Sequence, residues 1–240
     1  MRFLFKNEVV EYTLLGNENR DTILFLHGWG MSKSAFSHTI KLLEKNYSIL
    51  TLTMPTIEPT ISVWTLFDYV ELVENILSMN NIQNLIVVCH SFGFRVAMLL
   101  NKRIKIKKII VTGGAGIKKE KYLDFFKKIN KNNIKILLNS KKIKNLFEKT
   151  ASTDYKALSP TNRKTFINIV NLNLNFALKF NCPLLLFWGT KDSETPIWIA
   201  KQTHKKNTNA KLILTNSNHF AYIENNAQFN NETLKFLNQN

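Results

Sequence analysis

The stretch "VVCHSFGFRV", residues 87–96, decides how this chain reads. A β-branched run stops at Cys89, Ser91 stands between His90 and Phe92, and Gly93 follows at once. A lone serine therefore sits at the abrupt end of a buried strand, with small residues two positions to either side. One reading is a catalytic nucleophile on a strained turn. The other is an ordinary strand-to-helix loop, because Ser and Gly are common where helices start.

Outward from that stretch, apolar runs alternate with helical periodicity. "RFLFK" and "VVEYTLL" read as a hairpin turning at Asn7-Glu8, and "TILFLHG" (22–28) as a strand buried on both faces. Ser34 to Lys45 carries apolar residues at helical spacing, with Ser32 or Ser34 as N-cap. "YSILTLTM" reads as a strand, Pro55 and Pro59 mark a loop, and "TLFDYVELVENIL" is the clearest amphipathic helix. "NLIVVC", "FRVAMLLNK" and "IKKIIVTGG" continue the alternation, which then breaks from about Ile117 to Phe180. It resumes with "CPLLLFWG", a helix near 197–204, "AKLILT" and a last helix over 226–238. Strands alternating with helices imply crossover connections and a mostly parallel sheet covered on both faces. The chain thus reads as an α/β core over 1–116 and 181–240, interrupted at 117–180 by a helical insertion.

Composition narrows the class. With 240 residues and 45% hydrophobic content the chain suits one large domain with a real core. No apolar run approaches the roughly 18–20 residues of a membrane span, and the N-terminal apolar stretch is too short for a secretory signal. Cys89 and Cys182 are too few for a disulfide framework and match no zinc spacing, so a reduced, cytoplasmic setting is expected. The formal net charge of +16 is concentrated: residues 101–150 hold 16 Lys+Arg and 3 Asp+Glu. No nucleic-acid-binding signature accompanies it. The basic segment suggests an anionic substrate, an acidic carrier protein or an anionic surface; the competing explanation is solvated lysines from A/T-rich codons.

Chain order carries the chemistry. Ser91 follows the strand "NLIVVC", Asp192 follows "PLLLFWG", and His219 follows "KLILT". All three lie just past C-terminal strand ends, where sites collect in parallel sheets. "HGWG" (27–30) follows another strand end. The order Ser…Asp…His, with "LFLHGWG", "CHSFGFRVA", "DYKALSP", "CPLLLFWGTKDSETP" and "NHFAYIENNAQFN", resembles the α/β-hydrolase-fold serine hydrolases along nearly the whole chain. The resemblance implies an eight-stranded, mostly parallel sheet with a helical cap between strands six and seven, no metal and no cofactor. It makes Ser91 the nucleophile, His219 the general base and Asp192 the group that orients it, with Glu194 and Glu224 as the fallback acids. It assigns the oxyanion donors to the backbone N–H groups of Trp29 and Phe92, and puts Gly28, Arg95 and Phe220 near the substrate. His27 would be structural, His38 on a helix face and His204 solvated, and the His90 side chain would point away from the chemistry. Cys89 is a poor nucleophile because no base is expected on its side of the turn.

One segment departs from that pattern. The family carries a D-x-P-G-x-G-x-S loop after its fourth strand, whereas this chain has "TLTMPTIEPTIS" (51–62), with Thr53 in place of the acid and both glycines missing. The expected activity is cleavage of an ester or similar acyl bond of a small substrate through an acyl-enzyme. The alternatives are hydrolysis of a carbon–carbon bond in a 2-hydroxy-6-oxo-dienoate, with Arg95 on a substrate carboxylate, and a non-catalytic binding protein on the same scaffold.

Overall fold

Arg2–Phe5 (β1) and Glu8–Leu15 (β2) pair antiparallel across a two-residue turn at Lys6 and Asn7, which have φ of 50° and 65°. Two successive positive φ values match the twist of the flanking strands and make the tight hairpin. The turn thus lies one residue earlier than the sequence suggests, because Glu8 already pairs with Phe5. The computed structural model describes residues 1–16, 20–119 and 158–239.

The remaining strands are Thr22–Leu26 (β3), Ser48–Leu52 (β4), Leu85–His90 (β5), Lys108–Thr112 (β6), Leu184–Gly189 (β7) and Ala210–Thr215 (β8). They form one eight-stranded sheet in the order β1-β2-β4-β3-β5-β6-β7-β8, parallel from β4 to β8. β3 lies between β4 and β5, so the chain leaves it in opposite directions at this point. That reversal opens a crevice at the C-terminal strand ends.

Both faces of the sheet are covered, and β3, β4 and β5 are buried at every position. Leu24, Leu26, Val87 and Cys89 face one apolar cluster, and Ile23, Phe25, Ile86 and Val88 the other. Helix α1 (Ser37–Leu43) and α7 (Asn226–Leu237) serve the second face, and α2 (Leu66–Met79) and α3 (Phe92–Leu100) the first. Helix α2 begins with a reciprocal cap between Thr65 and Asp68 and buries Tyr69, Val70, Val73, Ile76 and Leu77 on one side. Each such side chain withdrawn from water is worth about 1.5–3 kcal/mol. Helix α1 starts later than its periodicity predicts and has no side-chain cap; the Ser32 and Ser34 hydroxyls bond each other at 2.8 Å instead.

Of the insertion expected over 117–180, residues 120–157, and with them the "KYLDFFKKI" helix, lie outside the described residues. The described part lies between β6 and β7 and holds α4 (Pro160–Asn171) and a 3₁₀ turn, Asn175–Ala177. Helix α5 (Trp198–Lys206) and the short α6 (Ala221–Glu224) complete the set. Among the described residues, no helix is long and apolar enough to cross a membrane.

Candidate active site

Ser91 occupies the junction of β5 and α3 with φ 46° and ψ −107°. A non-glycine residue held there stores roughly 1–3 kcal/mol of strain, so the surroundings must over-determine it. They do: the Ser91 N–H donates to Thr112 O at 3.2 Å, and Ser91 O accepts from Phe94 and Ala115, each at 3.1 Å. Gly93 is required by close approach, because a Cβ there would stand 2.2 Å from the carbonyl oxygen of Leu26. Cys89 turns into the core, its thiol donating to Ile110 O at 3.5 Å and its pKa raised well above normal by burial. It is no nucleophile.

Asp192 and His219 meet at the neighbouring strand ends, with His219 Nδ1 2.9 Å from Asp192 Oδ2. The short turn after β7 holds the carboxylate. Thr195 N–H (2.8 Å) and Glu194 N–H (3.0 Å) donate to Oδ1, and the Thr195 hydroxyl donates to Oδ2 at 2.7 Å. Burial alone would raise the Asp192 pKa, but the bonds from His219 and Thr195 outweigh it and hold the carboxyl below its usual range. An ionised acceptor fixes the Nδ1–H tautomer and leaves the Nε2 lone pair to take a proton. Gly113, with φ 53°, leaves room for the ring: a Cβ there would be 3.0 Å from His219 Nδ1. Thr195 is part of this arrangement, and only its place three residues after Asp192 hinted at it.

No hydrogen bond joins Ser91 Oγ to His219 among the described residues; Nε2 instead faces the exposed Glu194 carboxylate at 3.5 Å. Nucleophile–base hydrogen bonds are commonly long before substrate arrives, so this resting geometry is compatible with catalysis. The fallback acids are otherwise placed. Glu194 lies on the wrong nitrogen of His219, and Glu224 accepts from Asn218 N–H at 3.3 Å.

The HGWG segment turns back on itself, Met31 N–H donating to Gly28 O at 3.2 Å with Gly30 at φ 75°. The Trp29 and Phe92 N–H groups have no partner among the described residues, as oxyanion donors require. Their rings meet edge-on, centroids 5.5 Å apart. His27 is a buried strut. Its Nδ1–H donates to Gly28 O (2.7 Å), Nε2 accepts from Met54 N–H (2.8 Å), and burial lowers its pKa to about 4.

Three expectations change. His90 does not point away: its ring packs on His219, centroids 4.6 Å apart, and a Cβ on Gly28 would lie 2.8 Å from its Cδ2. Gly28 is therefore small to admit His90 rather than to touch substrate. Burial first, and the His219 charge second, lower the His90 pKa to about 3, so it stays neutral beside His219. Arg95 is not available to a substrate carboxylate. It is buried, and Nη1 donates to Ile169 O (2.8 Å) and Leu172 O (3.0 Å), tying α3 to the end of α4. Phe220, 40% exposed, lies 5.3 Å from both the His219 and His90 rings and remains beside the site. His38 lies on α1 and His204 is exposed, both as expected.

No family model matches the chain. A Mycoplasma genitalium protein named "Putative esterase/lipase 2" is 28% identical over 200 residues, covering 75% of this chain and 74% of that protein. Among solved structures, an alpha/beta hydrolase from a Medee basin deep-sea metagenome library superposes with a TM-score of 0.74 at 19% identity, over 100% of this chain and 98% of its own. The chain has the α/β-hydrolase fold. An esterase from Exiguobacterium antarcticum (TM-score 0.75, 12% identity, 99% of both chains) and a meta-cleavage product hydrolase from Pseudomonas fluorescens IP01 (0.71, 19%, 99% of this chain and 97% of the other) share it equally. On this fold, the side chains rather than the scaffold must identify the chemistry.

Proposed function

We propose that this α/β-hydrolase is a serine hydrolase that cleaves an ester of a small substrate through an acyl-enzyme. The observation that carries the reading is the buried Asp192–His219 pair, 2.9 Å apart at the strand ends next to a serine on a strained turn. Ser91 Oγ attacks the ester carbonyl carbon while its proton passes to His219 Nε2, and Asp192 stabilises the imidazolium. The carbonyl oxygen gains the charge and is received by the Trp29 and Phe92 N–H groups, the latter at the positive end of α3. The intermediate collapses, the carbon–oxygen bond breaks, and Nε2 protonates the departing alkoxide. Water then repeats the sequence on the acyl-enzyme and restores Ser91.

Cleavage of a carbon–carbon bond loses its supporting residue, because Arg95 is engaged by backbone carbonyls. The free, buried thiols of Cys89 and Cys182 suit a reducing compartment, which is where we place the enzyme. The test is fluorophosphonate labelling together with hydrolysis of p-nitrophenyl esters of increasing acyl length. Wild-type protein is expected to label at Ser91 and turn over short esters, and Ser91→Ala to do neither. Undiminished labelling of the Ser91→Ala protein would remove Ser91 from the mechanism.

A further inference from the structure

The loop that departs from the family pattern is held from the insertion. Residues 53–64 run between β4 and α2 without the two family glycines, and their backbone polar groups need partners. Asn162, in the first turn of α4 and 1% exposed, supplies partners to four of them. Its Oδ1 accepts from the Thr60 hydroxyl (2.8 Å) and the Thr60 N–H (3.2 Å). Its Nδ2 donates to Glu58 O (2.8 Å) and Ile57 O (3.2 Å), with Thr56 O at 3.5 Å. One turn on, Thr165 Oγ1 accepts from Trp64 N–H at 2.9 Å. Thr53, where the family has an acid, accepts the Lys33 N–H at 3.2 Å.

The other end of this loop reaches the oxyanion segment. The fully buried Thr56 accepts the Gly30 N–H on Oγ1 at 3.3 Å. The two peptide planes flanking Trp29 are thereby both anchored. Gly28 O is held by Met31 N–H and His27 Nδ1–H, and Gly30 N–H by Thr56. The C=O and N–H of one planar peptide point in opposite directions, so anchoring Gly28 O fixes where the Trp29 N–H aims. Helix α4 also touches Trp29 directly, its Phe166 ring edge-on at 5.1 Å.

We propose that Thr56 and Asn162 are positioning residues through which α4 holds the Trp29 N–H in its oxyanion-binding direction. The proposal rests on the acyl-hydrolase reading of Ser91. Both act at a distance from the reacting atoms: Asn162 fixes the backbone of residues 56–60, and Thr56 carries that hold to the Gly30 N–H of the HGWG turn. The docked position of α4 is therefore part of the catalytic apparatus, as well as a wall of the insertion.

The test compares Thr56→Val, which keeps the shape and removes the acceptor, with Thr56→Ser, which keeps the hydroxyl, and with Asn162→Asp, which keeps an acceptor for Thr60 and loses the amide donor. The readouts are kcat and KM on a short neutral ester, the rate of fluorophosphonate labelling, and amide exchange at Gly30. Removing an oxyanion donor outright costs roughly 10²–10³ in kcat, so loosening one is expected to cost about tenfold. Thr56→Val and Asn162→Asp should lose kcat and labelling rate with KM near wild type. Thr56→Ser should be near wild type in all three. The Gly30 amide should be protected in wild type and exposed in Thr56→Val. Wild-type kcat in Thr56→Val, an unprotected Gly30 amide in wild type, or equal losses in Thr56→Val and Thr56→Ser would overturn the proposal. Should Asn162→Asp fail to fold, the Thr56 pair and the exchange measurement still decide. If wild-type protein is not labelled at Ser91, the hydrolase reading itself falls, an outcome separate from a labelled wild type with an equally reactive Thr56→Val.

Discussion

The two flanks of the Ser91 elbow are built differently. On the acid–base flank the bonds that shape the carboxylate's turn are local: Asp192 is held by Glu194 and Thr195, two and three residues on, after β7. On the oxyanion flank they are remote. The loop after β4 is held by Asn162, about a hundred residues away, and Gly30 by Thr56, 26 residues away. A short turn carries its geometry within itself, whereas a loop stripped of glycines borrows its geometry from whatever packs against it. The acid–base flank should therefore tolerate changes in the insertion that the oxyanion flank does not.

The largest effect expected is on the local flank. Asp192→Asn keeps the size of the side chain but presents an amide to His219, which permits the wrong tautomer and should cost several decades in kcat. Glu194→Gln, at the Nε2 side of the same ring, should change kcat by less than tenfold, because Nε2 must turn to Ser91 during the reaction. Steady-state kinetics on one short ester checks both. If the two variants exchanged behaviour, Glu194 would be the acid and the flank would have been read from the wrong carboxylate.

Much of this flank was legible in the sequence. Ser91, Asp192 and His219 each follow an apolar run, and a parallel sheet brings C-terminal strand ends to one edge whatever the loops do. Gly93 was legible as the small residue two positions after the serine, and contact with Leu26 of the adjacent strand is what requires it. The position of His90 was not. Alternation along β5 says which face a side chain takes, but His90 is the last strand residue, where packing against His219 and Gly28 decides. Arg95, on the helix after the elbow, invites a substrate carboxylate in the sequence, while the carbonyls that satisfy it come from residues 169 and 172. No local pattern announces Asn162, an ordinary helix-start residue until the loop it satisfies is seen.

A second comparison concerns the two buried imidazoles on either side of Gly28. His27 and His90 have pKa values lowered to about 4 and about 3, from 6.5 in the unfolded chain. Between those limits the unfolded chain binds protons that the folded one refuses, so stability is complete above pH 6.5 and falls as pH drops. At pH 5 each imidazole should have removed on the order of 2 kcal/mol. Asp192, whose carboxyl is held below its usual range, adds its own loss only at lower pH, where carboxylates protonate. Denaturant melts from pH 7 to pH 5 should show this slope, and His90→Phe should make it shallower. An unchanged slope in His90→Phe would mean that acid sensitivity has another source. The same variant also tests the acid–base flank: a phenyl ring cannot donate to Thr112 O, so the support of His219 should weaken and kcat fall moderately.

The smallest effect expected is electrostatic, and it sets the charge of residues 101–150, which span β6 and the start of the insertion, against that of the rest of the chain. Residues 101–150 hold 16 of the 33 Lys+Arg in the chain and 3 of the 17 Asp+Glu. Of the lysines near the start of the insertion, Lys118 donates to Asn171 O at 2.9 Å and Lys119 lies over the Trp198 ring at 5.4 Å, while Lys121, Lys127 and Lys128 lie outside the described residues. A basic rim would draw anionic substrates through solvent, where the Debye length is about 8 Å at physiological salt. Its contribution should then appear in association, and so in kcat/KM with kcat unchanged. The exposed Glu194 carboxylate beside His219 opposes that attraction at short range, which limits the expected preference to a factor of a few. Raising ionic strength should slow an anionic ester more than a neutral ester of the same acyl chain. Replacing the five lysines by Gln should reproduce the loss at low salt and flatten the salt dependence. Matching salt profiles for the two esters would leave the lysines as a solvated surface, and the charge of the insertion would then have no part in choosing the substrate.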